Sequence, residues 1–399
     1  KLGQITRDEL YQQLQAVLQV LPSESSEQRS IAQALIRVDP PAPELLATYQ
    51  ALLPSNVPFL YFRIAQIQMQ QNDLNAAKQT LAEYSATPTG KQDLAPDLLL
   101  AEIDRREGNL SKSADRYQTL LAANPKPEIY QNALRGLAGI RLAQGKLDEA
   151  LSLYEQLLAA NPDDLASQLG RASIGYQTGK TSEAEAEAIL DRWLSTEPVP
   201  EPPPELFNLA GALPADPARQ PLYEALLTIQ PNDFAVNRRL VQVLAAIDPN
   251  QARQRVEQLV QNDPDNLNVY FVQGDLAQLL GDLSLASQAY ETILAQQPDN
   301  VGALSALGGV RFQERRYQDA AALYNQVLAL KPDDLETRRV LAELSAAQDQ
   351  PIAALDQLQE VHQLQTEAGV SDPRIQQRIQ QLEIDLLRRR GFQPEWERY

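Results

Sequence analysis

Apolar positions recur along the chain with the spacing of helices that bury one face. The pattern is clearest in GKLDEALSLYEQLLAANPDD, which begins at Gly145. It returns in GDLSLASQAYETILAQQPDN from Gly281, RRYQDAAALYNQVLALKPDD from Arg315 and GNLSKSADRYQTLLAANPKP from Gly108. Each stretch opens on a small or polar residue that closes one helix. A hydrophobic residue follows at plus two, a small one at plus five, Tyr at plus nine, an aliphatic one at plus twelve and Pro at plus seventeen. Proline cannot continue a helical hydrogen-bond ladder, so it marks the end of the second helix of a hairpin. Those prolines set a period: Pro264, Pro298 and Pro332 are 34 residues apart, and Pro231 and Pro264 are 33 apart. Pro125 and Pro162 are 37 apart, which places a short insertion around Pro127.

Each position has a physical task. Ala150, Ala286 and Ala320 fall where the two helices of a hairpin cross, and a larger side chain there would overpack the crossing. Tyr154, Tyr290 and Tyr324 are expected to fill the space between successive hairpins. The Asp-Asp or Asp-Asn pair after each proline suits the cap of the next helix. The first helices share a register too. In the repeat starting at Leu267, the fourth, seventh and eighth positions are Tyr270, Gln273 and Gly274. They are Leu304, Leu307 and Gly308 in the repeat from Val301, and Leu134, Leu137 and Ala138 in the one from Gln131.

This pattern resembles the tetratricopeptide repeat, W-x2-L-G-x2-Y…A-x3-F…P, with Leu or Tyr in the Trp slot. The resemblance implies an all-α fold, a right-handed superhelical solenoid of helix hairpins. Clear repeats span about 94–125, 131–162, 267–298 and 301–332, and weaker ones fit at 58–91, 165–197, 200–231, 233–264 and 335–366. Residues 1–57 hold amphipathic helices without register and are expected to cap one end of the stack. Repeats then fill 58–197 and 205–369, separated by a Pro-rich segment, 198–204, that reads as a loop or a hinge. Residues 370–399 read as a capping helix and tail. Ser371 or Asp372 caps this helix, Pro373 suits its first turn, and it runs through Arg388–Arg390 to Gly391. The tail carries Trp396 and Tyr399.

Composition narrows the function. A formal charge of −18 repels phosphate backbones and anionic lipid headgroups, so nucleic acid is not an expected partner. The chain has no Cys and a single His, His362, which leaves no thiolate or paired-imidazole metal site, and no cofactor is implied. No stretch approaches the roughly 20 apolar residues of a membrane span. Nothing at Lys1 reads as a signal peptide, and removal of a leader or anchor ahead of it stays open. The carboxylate pairs Asp163-Asp164 and Asp333-Asp334 recur at one place in the repeat, which argues capping and against acid–base catalysis. The chain therefore reads as a non-enzyme.

In the resemblance, first helices line the concave face, and positions two, five, nine, twelve and thirteen point into it. The candidate partner-binding residues are Phe59, Phe62, Arg63, Arg135, Tyr176, Asn268, Phe271, Asp275, Phe312 and Arg339. Family members that grip a chaperone's C-terminal carboxylate pair a cation at position five with Asn at position nine. Here Arg135 and Arg339 hold position five, but Gly139 and Glu343 hold position nine, so that clamp is not assembled. The expected partner is a protein, with basic patches or as an extended peptide. The run GLAGIRLAQGKLDEALSLYEQLLAANPDD is similar to repeats of periplasmic proteins that secrete cellulose and other exopolysaccharides. That likeness implies a scaffold in the periplasm or cell envelope. A cytoplasmic or membrane-associated assembly factor, and a polymer-guiding carbohydrate-binding module, are the alternatives.

Overall fold

The computed structural model describes residues 7–22, 25–37, 41–123, 125–196, 201–367 and 372–389. Residues 198–200 of the Pro-rich segment, the expected cap at Ser371, the helix stop at Gly391 and the tail with Trp396 and Tyr399 lie outside them. The described residues form α-helices and short 3-10 turns, with no strand among them. They divide into two compact units, Lys1–Leu213 and Pro214–Tyr399.

The first unit contains α1 (Arg7–Val20), α2 (Ser26–Leu35), α3 (Leu46–Ala51), α4 (Phe59–Gln70), α5 (Leu74–Ala86) and α6 (Ala95–Arg106). It continues with α7 (Leu110–Ala122), α8 (Pro127–Ala143), α9 (Leu147–Ala160), α10 (Leu165–Gln177), α11 (Glu183–Leu194) and α12 (Pro204–Ala212). Hairpins α4/α5, α6/α7, α8/α9 and α10/α11 pack in chain order. Ala32, Leu35, Leu45, Tyr49 and Leu52, from α2, α3 and the turns beside them, form one core with Leu60, Ile64 and Ile67 of α4. The N-terminal helices thus cover the open side of the first hairpin, where terminal units must bury apolar surface.

The second unit contains α13 (Gln220–Ile229), α14 (Phe234–Ile247), α15 (Pro249–Asn262), α16 (Leu267–Leu279) and α17 (Leu283–Gln296). Then come α18 (Val301–Gln313), α19 (Tyr317–Leu330), α20 (Leu335–Ala347), α21 (Pro351–Glu367) and α22 (Pro373–Arg389). Hairpins α14/α15, α16/α17, α18/α19 and α20/α21 stack, and α22 closes the row against α21 through Ile375 and Leu382.

The unit boundary lies at Leu213/Pro214 rather than in the Pro-rich segment. Helix α12, which follows that segment, packs on α10 as the next first helix of its row. The repeat expected over 200–231 is therefore divided, with α12 in the first unit and α13 in the second. The insertion around Pro127 becomes part of α8, with proline in the first turn, where its missing N–H costs nothing.

Local chemistry explains the hairpins. Where a first helix ends, one residue turns left-handed: Gly108, Gly145, Gly179 and Gly281 at φ of 79°, 72°, 69° and 79°. At Gly281 the turn aims the Asp282 N–H back at the Ala277 carbonyl, 2.8 Å away. That bond satisfies one of the carbonyls that a helix end leaves open. Asn72, Arg315 and Asp349 take the same conformation at φ of 60°, 61° and 58°. They do so without glycine's freedom. Asp282 then caps α17 through the Leu285 N–H, and Asn300 and Asp334 cap α18 and α20 as the Asp-Asp and Asp-Asn pairs imply. Ala150, Ala286 and Ala320 are fully buried at the crossings.

The tyrosines lie against backbone. A Cβ on Gly136 would overlap the Tyr117 ring, and one on Gly170 would overlap the Tyr154 ring, each from the preceding hairpin. In the second unit Tyr290 lies 2.5 Å from such an atom on Gly274, and Tyr324 2.9 Å from one on Gly308, both within their own hairpins. A methyl group at any of these glycines requires the ring to move, and overpacking of this kind costs about 1–3 kcal/mol.

The left-handed turns give a paired prediction. Gly281→Ala should lower stability by about 1 kcal/mol, and Arg315→Gly should raise it by about 0.5–1 kcal/mol. Thermal melts followed by circular dichroism check both, and equal melting temperatures would show that the turns carry no strain.

Candidate partner-binding face

Folding separates the ten candidate residues into several places. Phe59, Phe62 and Arg63 meet at the start of α4. The Phe59 ring lies 5.4 Å from that of Phe62, and the Arg63 guanidinium sits 5.3 Å from the Phe59 centroid. Only Phe59 remains open, at 46% exposure; Phe62 and Arg63 are each 7% exposed. Phe62 packs edge-on to Tyr84, and Arg63 donates from Nε and a terminal nitrogen to the Ile36 carbonyl at 3.0 and 2.8 Å. Arg63 ties the N-terminal cap to α4 and Phe62 packs within the α4/α5 hairpin, so neither side chain is open to a partner. The cap helices lack repeat register, so the surface they cover was invisible in the sequence.

Arg135 pairs with Asp164 at 2.5 Å and lies 3.7 Å from Glu205. Asp164 precedes α10, but its carboxylate makes no cap bond; it accepts from Arg135 and the Ser167 hydroxyl instead. The expected cap at this Asp-Asp pair is thus diverted to a cation that competes for the same oxygens. Glu205, in the first turn of α12, is 2% exposed. Its Oε1 accepts from the Tyr154 hydroxyl at 3.2 Å, while Oε2 is buried without a hydrogen-bond partner. Burial pushes the Glu205 carboxyl above its ordinary range, against the opposing pull of backbone N–H, Arg135 and Tyr154. Burial, with Glu205 beside it, also raises the Tyr154 phenol. This cluster joins α8 and α9 to α12 across the hairpin between them. Neither Glu205 nor its partners' convergence was legible beforehand, since a glutamate in a helix's first turn is ordinarily a solvated dipole partner.

In the second unit Asp275 accepts from Tyr290 at 2.9 Å and pairs with Arg238 of α14 at 2.6 Å. Phe271, half-buried on α16, lies 6.2 Å from the Tyr290 ring and leans over Gly302 of α18. Asn268 is exposed at the start of the same helix. Phe312 is 38% exposed near the end of α18, 5.6 Å from the Tyr317 ring. Arg339 is exposed on α20 and pairs with Glu336 at 3.3 Å. Tyr176 is half-buried on α10 of the first unit. The open candidates are therefore Phe59 and Tyr176 in the first unit, and Asn268, Phe271, Phe312 and Arg339 in the second.

A family model of the tetratricopeptide repeat matches residues 98–154, 135–195 and 271–334, the segments whose tyrosines and glycines interlock. The chain carries tetratricopeptide repeats. Tetratricopeptide folds support protein–protein interaction: they bind proteins or peptides and are generally non-catalytic scaffolds. Among similar solved structures is the APC/C hetero-tetramer Cut9–Hcn1, 15% identical, with 88% of this chain and 74% of that one covered at a TM-score of 0.49. Another is MamA, 16% identical over 38% of this chain and 82% of its own, at 0.32. A tetratricopeptide repeat protein from Parabacteroides merdae is 13% identical over 81% and 97%, at 0.28. The sequence matches none of the curated proteins. No helix among the described residues is long and apolar enough to cross a membrane.

The ionic contacts of these repeats can be tested at two residues. Removing Arg63 with Arg63→Ala should cost about 2–3 kcal/mol by releasing the cap's carbonyl and uncovering the Phe59 ring, seen as a lower melting temperature. Glu205 has a folded-state carboxyl raised above its unfolded value. Its contribution is complete in acid, below about pH 4.3, and is lost as pH rises through the folded value. Glu205→Gln should therefore stabilise the chain at pH 7 by on the order of 1 kcal/mol, with the gain vanishing toward pH 4. Melts at the two pH values check this, and a loss of stability at pH 7 would show the charged form to be favoured.

Proposed function

We propose that the chain is a non-catalytic scaffold whose first-helix faces hold a partner protein in the bacterial cell envelope, in polysaccharide synthesis or export. The observation that carries the binding role is that Phe59, Phe271 and Phe312 keep ring surface open after their hairpins have packed. A buried position would have hidden these rings, and aromatic and arginine side chains are what interfaces favour. The charge of −18 favours a partner with basic patches, approached faster at low salt. The non-catalytic reading is supported by the occupations of the carboxylates: Asp334 caps a helix, Asp104 is held by Lys112 and Arg116, and Asp275 by Arg238 and Tyr290. The envelope setting rests on the likeness of residues 136–164 to periplasmic secretion repeats.

The test is capture from the native organism with the full chain as bait, using in-cell crosslinking and mass spectrometry. Crosslinks from polysaccharide synthase or envelope proteins to α4, α16, α18 and α20 are expected. Phe59→Ser with Phe312→Ser should reduce capture at a stability cost of about 1–2 kcal/mol per site, with folding of the variant checked by circular dichroism at the capture temperature. Capture of cytoplasmic or photosynthetic complex subunits would replace the setting with an assembly role, and crosslinks confined to second helices would overturn the binding face.

A further inference from the structure

In a chain of net charge −18, a cleft lined by three arginines and one carboxylate runs against the prevailing charge. The second unit holds a cleft of about 150 Å³ between α20 and α22. That is too small for an ordinary small-molecule pocket. Buried Leu358, Ile375 and Leu382 line its floor. Arg339, Arg374 and Arg378 line it with a single carboxylate, Glu343. Arg339 is engaged by Glu336. Among the described residues the guanidinium groups of Arg374 and Arg378 have no ion pair and no hydrogen bond, and both residues are exposed. The arginines at the other end of α22 differ: Arg388 pairs with Asp385 at 3.9 Å and Arg389 with Asp349 at 2.7 Å.

The sequence of α22 builds this edge. Ile375 and Leu382 turn one stripe of the helix into the core, and that fixes Arg374 and Arg378 side by side, one helical turn apart. Two like charges so placed repel, and an anion between or upon them relieves the repulsion. Guanidinium forks match the planar carboxylate in a bidentate arrangement. One helical turn advances about 5–6 Å, close to the roughly 7 Å between residues i and i+2 on one side of an extended chain. A long polyanion would face the repulsion of the whole acidic surface, whereas two carboxylates on a short segment meet mainly the local arginines.

We propose that the cleft between α20 and α22 docks an extended acidic segment of a partner protein. Two carboxylates at alternate positions engage Arg374 and Arg378, and an apolar side chain on the same side of the segment settles on the Leu358–Leu382 floor. Acidic selectivity here contrasts with the basic partner that the net charge favours elsewhere, so the chain has two recognition surfaces of opposite preference. The inference rests on the scaffold reading but fails separately from it: captured partners crosslinked only to other first helices would leave the scaffold intact while the titration below came out negative.

The full chain is titrated with fluorescein-labelled Gly-Ser-Glu-Ser-Glu-Ser-Leu-Gly and read by fluorescence anisotropy. Binding should weaken as salt is raised and when Gln replaces both Glu residues of the peptide. Arg374→Gln with Arg378→Gln should weaken it by about tenfold, and Arg253→Gln, an exposed arginine on α15, should leave it unchanged. Arg374→Glu with Arg378→Glu should transfer the preference to a peptide carrying Lys in place of Glu, and this swap reads out even if one variant alters the helix. Equal binding of the Glu and Gln peptides, or an unaffected double Gln variant, would overturn the proposal. Much tighter binding of a peptide with phosphoserine at both positions would overturn the carboxylate assignment.

Discussion

A tyrosine ring lying where a neighbouring helix carries no side chain is the contact on which the rest of this structure depends. Tyr117 on Gly136 and Tyr154 on Gly170 draw one hairpin onto the next, and Tyr290 on Gly274 and Tyr324 on Gly308 close a hairpin on itself. The ring is wide and rigid, and the glycine lets it approach the backbone, so the helix separation is set by a shape that cannot be compressed. The alanines at the crossings and the prolines at the helix ends then follow as conditions for that fit. Surface positions on the first helices are aimed by it as well, since a helix fixed on one face has no freedom to rotate the other.

The same rings bring a polar obligation into the core. A phenol hydroxyl at the buried end of a tyrosine needs an acceptor. Tyr290 finds Asp275, and Tyr154 finds Glu205. Each acceptor is then placed beside an arginine, Arg238 in one case and Arg135 in the other, because a buried carboxylate is costly without a cation near it. The balance differs between the two. Asp275 has both oxygens engaged, whereas Glu205 keeps one oxygen buried and idle, and its carboxyl resists ionising.

The fold was legible because its signals are periodic and local. Small residues, tyrosine and proline recur at fixed offsets, and each offset translates into a crossing, a ring contact or a helix end. The hairpins from 94 to 162 and from 267 to 332 stand where the pattern puts them. The binding residues were less legible because they depend on what covers a helix. Phe62 and Arg63 occupy first-helix positions, yet Tyr84 of α5 packs on the one and the N-terminal cap engages the other. Asp164 looks like every other cap residue, and only the approach of Arg135 diverts it. Arg374 and Arg378 are distant in sequence from Arg339, so their convergence needs the packing of α22 to exist at all.

Repeat arrays lengthen and shorten in evolution by copying or losing whole hairpins, which works when every unit touches only the units beside it. The contact from Tyr154 and Arg135 to Glu205 reaches past the α10/α11 hairpin to the helix beyond. Inserting or deleting a hairpin at that point would strand Glu205 in the core without its hydroxyl and its cation. The stretch from α8 to α12 is therefore coupled as one block, in which no hairpin can be exchanged without finding Glu205 new partners.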